Sequence, residues 1–229
     1  MNGPGLDALK RGPIDAVAFD LDGLLVNTEE LYQHVGTELL RRRGRAFEPD
    51  LLDAMMGRPQ QVSLEIMIRW HSLEDTEESL ATETHEIFQG LLDSRLDTMP
   101  GVAALLDALE HRGIPKAVAT SSGPGFAHDV LGRVRLLRRF AFVLTSADVT
   151  EGKPHPEMYL AAAARLGVSP ARLLVFEDSE AGCRAAVAAG AVTVAVPGGH
   201  RRRHDLSGAC LVADTLADPR IADLLTGCE

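Results

Sequence analysis

The residues able to do chemistry fall at four points of the chain. Asp20 and Asp22 stand two apart at the end of the apolar run 14–19, followed at once by Gly23. Thr120 and Ser121 close a β-rich run, Lys153 sits in Glu151-Gly152-Lys153-Pro154, and Glu177 with Asp178 ends a second apolar run, 173–176. In an extended chain residues i and i+2 point the same way, so Asp20 and Asp22 share one patch of space. Like charges held that close are costly unless a proton or cation lies between them. Two acidic pairs facing each other across a strand gap suit a hard cation such as Mg²⁺, which takes one or two carboxylates and completes its shell with water and phosphate oxygens. A lysine and a hydroxyl alongside are what a phosphate would otherwise need. Each point taken singly has a plainer explanation. Asp20 to Gly23 fits a strand closed by a turn, Thr120 to Ser122 and the Glu177-Asp178 pair fit helix caps, and Lys153 fits a surface lysine.

The elements that must position these residues alternate regularly. Strands are predicted at 14–19, 115–120, 140–145, 173–176 and 192–196, with a short one at 211–212. Helices are predicted from Pro100 to His111 and over 126–137, 156–166, 180–189 and 219–225. Strands separated by helical stretches imply a mainly parallel sheet covered on both faces, whose carboxyl ends carry the ligand. All four points would then lie side by side. Residues 27–97 lack any strand pattern and instead carry helical apolar stripes: Leu31, Val35, Leu39 and Leu40; Leu51, Leu52, Met55 and Met56; Val62, Leu64, Ile66, Met67 and Trp70; and Leu80, Ile87, Phe88, Leu91 and Leu92. The expected architecture is therefore α/β: a Rossmann-like, mainly parallel core of residues 1–26 and 98–229 with a small helical cap, residues 27–97, inserted after the first strand. Such a cap would close over the site by hinging near Asn27 and Thr98. Trp70 is expected in the core of the bundle, and the arginines 41–43 and 201–203 on solvated faces.

A net charge of −10 over 229 residues argues against nucleic acid or an anionic membrane as partner, since either would want a basic footprint. Three cysteines without metal-ligand spacing suit a reducing compartment. Neither a signal-peptide pattern nor a membrane-length apolar stretch is seen, so a cytoplasmic protein is expected, a monomer by default.

Taken together, the four points make the chain resemble the haloacid dehalogenase superfamily, specifically its phosphatases and phosphomutases with a helical cap. Asp20-Leu21-Asp22-Gly23 matches the first family motif, Thr120 the second, Lys153 the third, and Glu177-Asp178-Ser179 with Gly182 the fourth. The resemblance implies a Mg²⁺-dependent phosphatase of a small phosphorylated metabolite, such as a sugar or polyol phosphate. It implies Asp20 as nucleophile forming an aspartyl phosphate, Asp22 as acid and base, and Thr120 with the Ser121 amide holding phosphoryl oxygens. Lys153 would tie nucleophile to phosphate. The metal would be bound by Asp20, Asp178, the backbone carbonyl of Asp22, and Glu177 directly or through water. Tyr32, Gly57 and Arg58 are the cap residues expected to touch substrate. The β-phosphoglucomutases are the near alternative, although Tyr32 stands where they carry a histidine and Gln60 where they carry an arginine. A catalytically silent binding or regulatory protein of the same fold is a further alternative, and the intact set Asp20, Asp22, Thr120, Lys153 and Asp178 speaks against it.

Overall fold

The computed structural model describes residues 13–55, 60–197 and 205–226. Gly57, Arg58 and the arginines 201–203 lie outside them. The chain divides into two compact units, Met1–Asn27 with Asp97–Glu229, and Thr28–Leu96.

In the first unit six parallel strands form one sheet: β1 (Ala16–Phe19), β2 (Lys116–Ala119), β3 (Val143–Leu144), β4 (Leu173–Glu177), β5 (Val192–Ala195) and β6 (Leu211–Val212). Their spatial order is β3-β2-β1-β4-β5-β6. After β1 the chain moves outward on one side through β2 and β3, then crosses to the other side of β1 at β4. The carboxyl ends of β1 and β4 thus flank the point where the strand order reverses, the place where open parallel sheets leave a crevice. Every residue of β1 and β4 is buried, as expected of central strands covered on both faces.

The crossovers are α5 (Val102–His111), α6 (Pro124–Arg133), α7 (Glu157–Leu166) and α8 (Glu180–Ala188), and α9 (Pro219–Thr226) follows β6. Ala162, Ala163, Ala185, Ala186 and Ala189 of α7, α8 and the turn after it bury against Ala16, Ala18 and Val175. Side chains this small let helix backbones approach the sheet closely. On the opposite face of β1, Phe19 stacks on Phe176 at 5.1 Å and meets Phe140 edge-on at 5.9 Å.

Several boundaries differ from the sequence expectation; the helix predicted over 126–137, for one, runs Pro124–Arg133. The helix predicted to begin at Pro100 begins at Val102, because Gly101 adopts φ +92 and its Cα lies against the backbone of Leu216 and Ala217, where a side chain would collide. The strand predicted over 140–145 is regular only at Val143–Leu144, although the Ala141 amide still donates to the Lys116 carbonyl at 2.8 Å; the preceding residues Leu137–Arg139 form a 3₁₀ turn.

The two chain crossings at the edge of this unit are tied to each other. Val26 bridges Thr98 antiparallel, Asn27 N–H donates to the Asp97 carbonyl at 3.1 Å, Asp97 N–H donates to Asn27 Oδ1 at 2.9 Å, and Met99 N–H donates to the Leu25 carbonyl at 3.0 Å.

The second unit contains α1 (Thr28–Arg42), α2 (Pro49–Met55), α3 (Gln60–His71) and α4 (Glu77–Arg95). Leu31, Val35, Leu39 and Leu40 of α1 bury with Leu80, Phe88 and Leu92 of α4, and Leu51, Leu64 and Met67 are buried as well. Thr76 caps α4 by accepting from Ser79 N–H at 3.2 Å, an interaction worth about 1 kcal/mol in typical helices. The expectation for Trp70 is corrected: it is 47% exposed, and its indole N–H donates to Glu48 at 3.1 Å. Arg43 departs likewise from the solvated face expected of its run. Its guanidinium is largely covered and clamps Asp75 and Glu83, each at 2.7 Å, whereas Arg41 is exposed. No helix among the described residues is long and apolar enough to cross a membrane.

Candidate active site

Asp20 is the residue after β1, and its amide still donates to the Phe176 carbonyl of β4 at 3.0 Å, so sheet pairing fixes its backbone. Beyond Leu21 and Asp22 the chain folds back through Gly23, whose φ of +73 suits glycine and whose amide donates to the Val26 carbonyl at 2.9 Å. Asp20 is buried and Asp22 half-buried.

The two carboxylates have different neighbours. Lys153 Nζ donates to Asp20 Oδ1, to the Ala119 carbonyl at 2.9 Å and to Glu177 Oε1 at 2.6 Å. All three ammonium hydrogens are therefore engaged. Asp22 Oδ2 accepts instead from two hydroxyls, Ser122 Oγ at 2.7 Å and, more weakly, Thr120 Oγ1 at 3.4 Å. Thr120 follows β2, with its amide on the Leu144 carbonyl at 3.0 Å, and its hydroxyl also accepts from Ser122 N–H at 3.0 Å. Ser121 is exposed. The loop carrying Lys153 is braced by Glu157, whose carboxylate accepts from the amides of Thr150 and Glu151 at 2.9 and 2.8 Å.

Glu177 ends β4 and is fully buried. Its Oε1 accepts from Tyr159 Oη at 2.5 Å as well as from Lys153, and its Oε2 accepts from Ser179 Oγ at 3.0 Å. Ser179 in turn caps α8 through Gly182 N–H at 3.0 Å. One carboxylate oxygen from each of Asp20, Glu177 and Asp178 lies within 4.8 Å of the others.

Burial pushes the Asp20 carboxyl up to about 7. Glu177 and Asp22 push the same way, and Lys153 opposes them without cancelling the effect. Burial also works against the Lys153 charge, but the carboxylates of Asp20 and Glu177 outweigh it and hold the ammonium protonated. Three acids around one lysine leave this pocket short of positive charge. An all-oxygen donor set in that condition fits a hard divalent cation, with Asp20, Asp178 and Glu177 as its carboxylates.

The structure thus brings Asp20, Asp22, Thr120, Lys153, Glu177 and Asp178 to one end of the sheet. Tyr32 belongs to the helical unit, where it is 50% exposed and its ring stacks on Phe88 at 4.3 Å. Gly57 and Arg58 fall outside the described residues. Sequence reasoning missed Ser122 and Tyr159. Ser122 carries a usable signal, since it is two residues beyond Thr120, the spacing already used for Asp20 and Asp22. Tyr159 carries only a faint one, a lone phenol opening the run Tyr-Leu-Ala-Ala-Ala-Ala.

Comparison with known proteins adds to this geometry. The family described as haloacid dehalogenase-like hydrolase matches residues 17–196. The phosphorylated carbohydrates phosphatase of Thermotoga maritima is 34% identical over 177 residues, covering 77% of this chain and 82% of that one. Among solved structures, a HAD family hydrolase of Deinococcus radiodurans with bound phosphate and sodium superposes with a TM-score of 0.80 at 30% identity, covering 94% of this chain and 99% of the other. A β-phosphoglucomutase of Clostridium difficile superposes with a TM-score of 0.70 at 25% identity, covering 93% and 97%.

Proposed function

The chain belongs to the haloacid dehalogenase-like hydrolases, and from that premise we propose that this phosphoric monoester hydrolase is a Mg²⁺-dependent phosphatase of a sugar or polyol phosphate, working through an aspartyl phosphate on Asp20. The observation that carries this reading is the contrast between two carboxylates two residues apart. Asp20 accepts from the Lys153 ammonium, as suits a group that must be an anion to attack phosphorus, while Asp22 accepts from the hydroxyls of Ser122 and Thr120, as suits a group that must exchange a proton.

In the first step an Asp20 oxygen attacks phosphorus, the bond from phosphorus to the ester oxygen breaks, and Asp22 delivers its proton to that oxygen. In the second, water attacks the phosphorus of the aspartyl phosphate, Asp22 takes the water proton, and inorganic phosphate leaves with Asp20 restored. Thr120 and the Ser121 amide hold phosphoryl oxygens, and the Lys153 charge offsets theirs as the transition state forms. Asp20 and Asp178, with the Asp22 backbone carbonyl and with Glu177 directly or through water, would hold Mg²⁺, which would supply charge neutralisation for an incoming phosphate dianion. We assign recognition of the alcohol to the helical unit, residues 27–97, through Tyr32, Gly57 and Arg58. The small-carbohydrate substrate class is supported by the activity named for the Thermotoga relative.

A phosphomutase is the second reading, favoured by the likeness to the Clostridium β-phosphoglucomutase. Phosphate release measured over a panel of sugar, polyol and nucleoside phosphates, with and without Mg²⁺, separates the two. Net phosphate release from a sugar or polyol phosphate, dependent on Mg²⁺, is the expected result. Isomerisation of a sugar phosphate faster than release would replace the phosphatase by the mutase, and turnover in excess chelator would remove the metal.

A further inference from the structure

Tyr159 is a buried ionisable group that the mechanism above does not use. It stands in the first helical turns of α7 with no exposed surface, surrounded by the small apolar residues that pack α7 and α8 onto the sheet. A phenol there must find a partner for its hydroxyl, and the partner is charged: Tyr159 Oη donates to Glu177 Oε1 at 2.5 Å. Its ring lies 5.1 Å from Lys153 Nζ, within cation–π range.

The Glu177 carboxylate is enclosed on every side that these contacts describe. Oε1 takes Tyr159 and Lys153, Oε2 takes Ser179, and Gly182 of α8 presses so close that no side chain would fit at that position. Lys153 is a compact charge on a flexible four-carbon stem, free to swing unless its acceptors are themselves fixed. Of its three acceptors one is the Ala119 backbone carbonyl, one is the attacking carboxylate Asp20, and one is Glu177 Oε1. Where that third oxygen sits decides how the ammonium meets Asp20.

We propose that Tyr159 is a positioning residue for phosphoryl transfer: its hydroxyl fixes Glu177 Oε1, Glu177 fixes the Lys153 ammonium, and the ammonium holds Asp20 in its attacking orientation. The inference rests on Asp20 being the nucleophile of a phosphatase. It assigns the Tyr159 side of Glu177 to the lysine.

The test is Tyr159→Phe, which keeps the ring and removes the hydroxyl. Three measurements are made beside wild type: steady-state hydrolysis of p-nitrophenyl phosphate at saturating Mg²⁺, calorimetric titration of Mn²⁺ without substrate, and thermal melting. Loss of a group that orients a reacting residue typically costs 10- to 100-fold, so kcat is expected to fall by roughly that factor while KM and the Mn²⁺ dissociation constant stay at wild-type values. A lowered melting temperature with wild-type kcat would make the phenol a fold-stabilising group only and overturn the proposal. Weakened Mn²⁺ binding with kcat restored by excess metal would assign Glu177 Oε1 to the metal and overturn it equally. If the variant does not fold, Glu177→Gln, which keeps an acceptor for the phenol but removes the charge facing Lys153, must show a kcat loss at unchanged KM that excess Mn²⁺ does not restore, or the proposal fails. Absence of nitrophenol release by the wild-type protein in Mg²⁺ would instead refute the phosphatase reading.

Discussion

Gly182→Ala is a one-carbon change whose effect can be worked out from the structure. Gly182 lies in the first turn of α8, where alanine would ordinarily improve a helix by about 1 kcal/mol. Here the new methyl group would overlap the Glu177 carboxylate, striking both oxygens and the carbon between them. A carboxylate at the end of a side chain can usually swing aside, but this one is buried and held by Tyr159, Lys153 and Ser179. Moving it gives up at least one hydrogen bond to a charged group, worth about 1.5–3 kcal/mol each, and moving α8 instead incurs an overpacking cost of about 1–3 kcal/mol. Set against the helix gain, the loss of one such bond leaves a net destabilisation of about 0.5–2 kcal/mol, or roughly 1–8 °C in melting temperature for a chain of this size. Because Glu177 also anchors Lys153, kcat should fall in the same variant. Gly90→Ala is the control: Gly90 is exposed in the middle of α4 with open space where a Cβ would go, and the same substitution there should stabilise by about 0.5–1 kcal/mol. Melting followed by circular dichroism with p-nitrophenyl phosphate kinetics tests both. A Gly182→Ala protein melting at or above wild type with full activity would refute the packing of Glu177 against α8.

Asp22→Asn should lower turnover of alkyl phosphates by roughly 10²- to 10⁴-fold. With an activated aryl phosphate it should instead give a burst of phenol and then a slow steady state, with phosphate trapped on Asp20 in rapid-quench peptide mapping; label on another residue would overturn the assignment. Dialysis against chelator should abolish turnover and Mg²⁺ should restore it, as measured by phosphate release. Glu110, hydrogen-bonded by Arg139 and Lys116, is held down from 4.5 to about 2, so it contributes stability above its unfolded value that is lost as the pH falls from about 4.5 toward 2. Glu110→Gln should therefore flatten that part of the acid unfolding curve, and an unchanged curve would count against the ion pair.

The order and type of the elements were legible because Asp20, Thr120 and Glu177 stand at the ends of apolar runs, Lys153 lies in the loop after another, and the runs alternate with helical patterns. Asp20, Asp22, Thr120, Lys153, Glu177 and Asp178 could be placed at strand ends from local pattern alone. Tyr159 could not, because its importance lies in a contact with Glu177, 18 residues away, that only the packing of α7 against β4 creates. Ser122 was hidden by a plainer explanation, since a serine before a helix usually caps it. Apolar periodicity placed Trp70 on a buried face, yet a stripe says which side of a helix faces its neighbours and not how far they cover it. Arg43 looked like its exposed neighbours Arg41 and Arg42 because its partners, Asp75 and Glu83, come from the turn before α4 and from α4 itself.

The ribbon that joins Val26 and Asn27 to Asp97 and Thr98 makes the helical unit an insertion whose entry and exit points touch. For the α/β unit, whatever lies between those residues is a closed loop. Lengthening or shortening such a loop changes its closure entropy only with the logarithm of its length, about 0.6 kcal/mol per doubling. The insertion is thus a replaceable module. It can be exchanged or remodelled wholesale, while β1 and the loop that carries Lys153 need never be rebuilt.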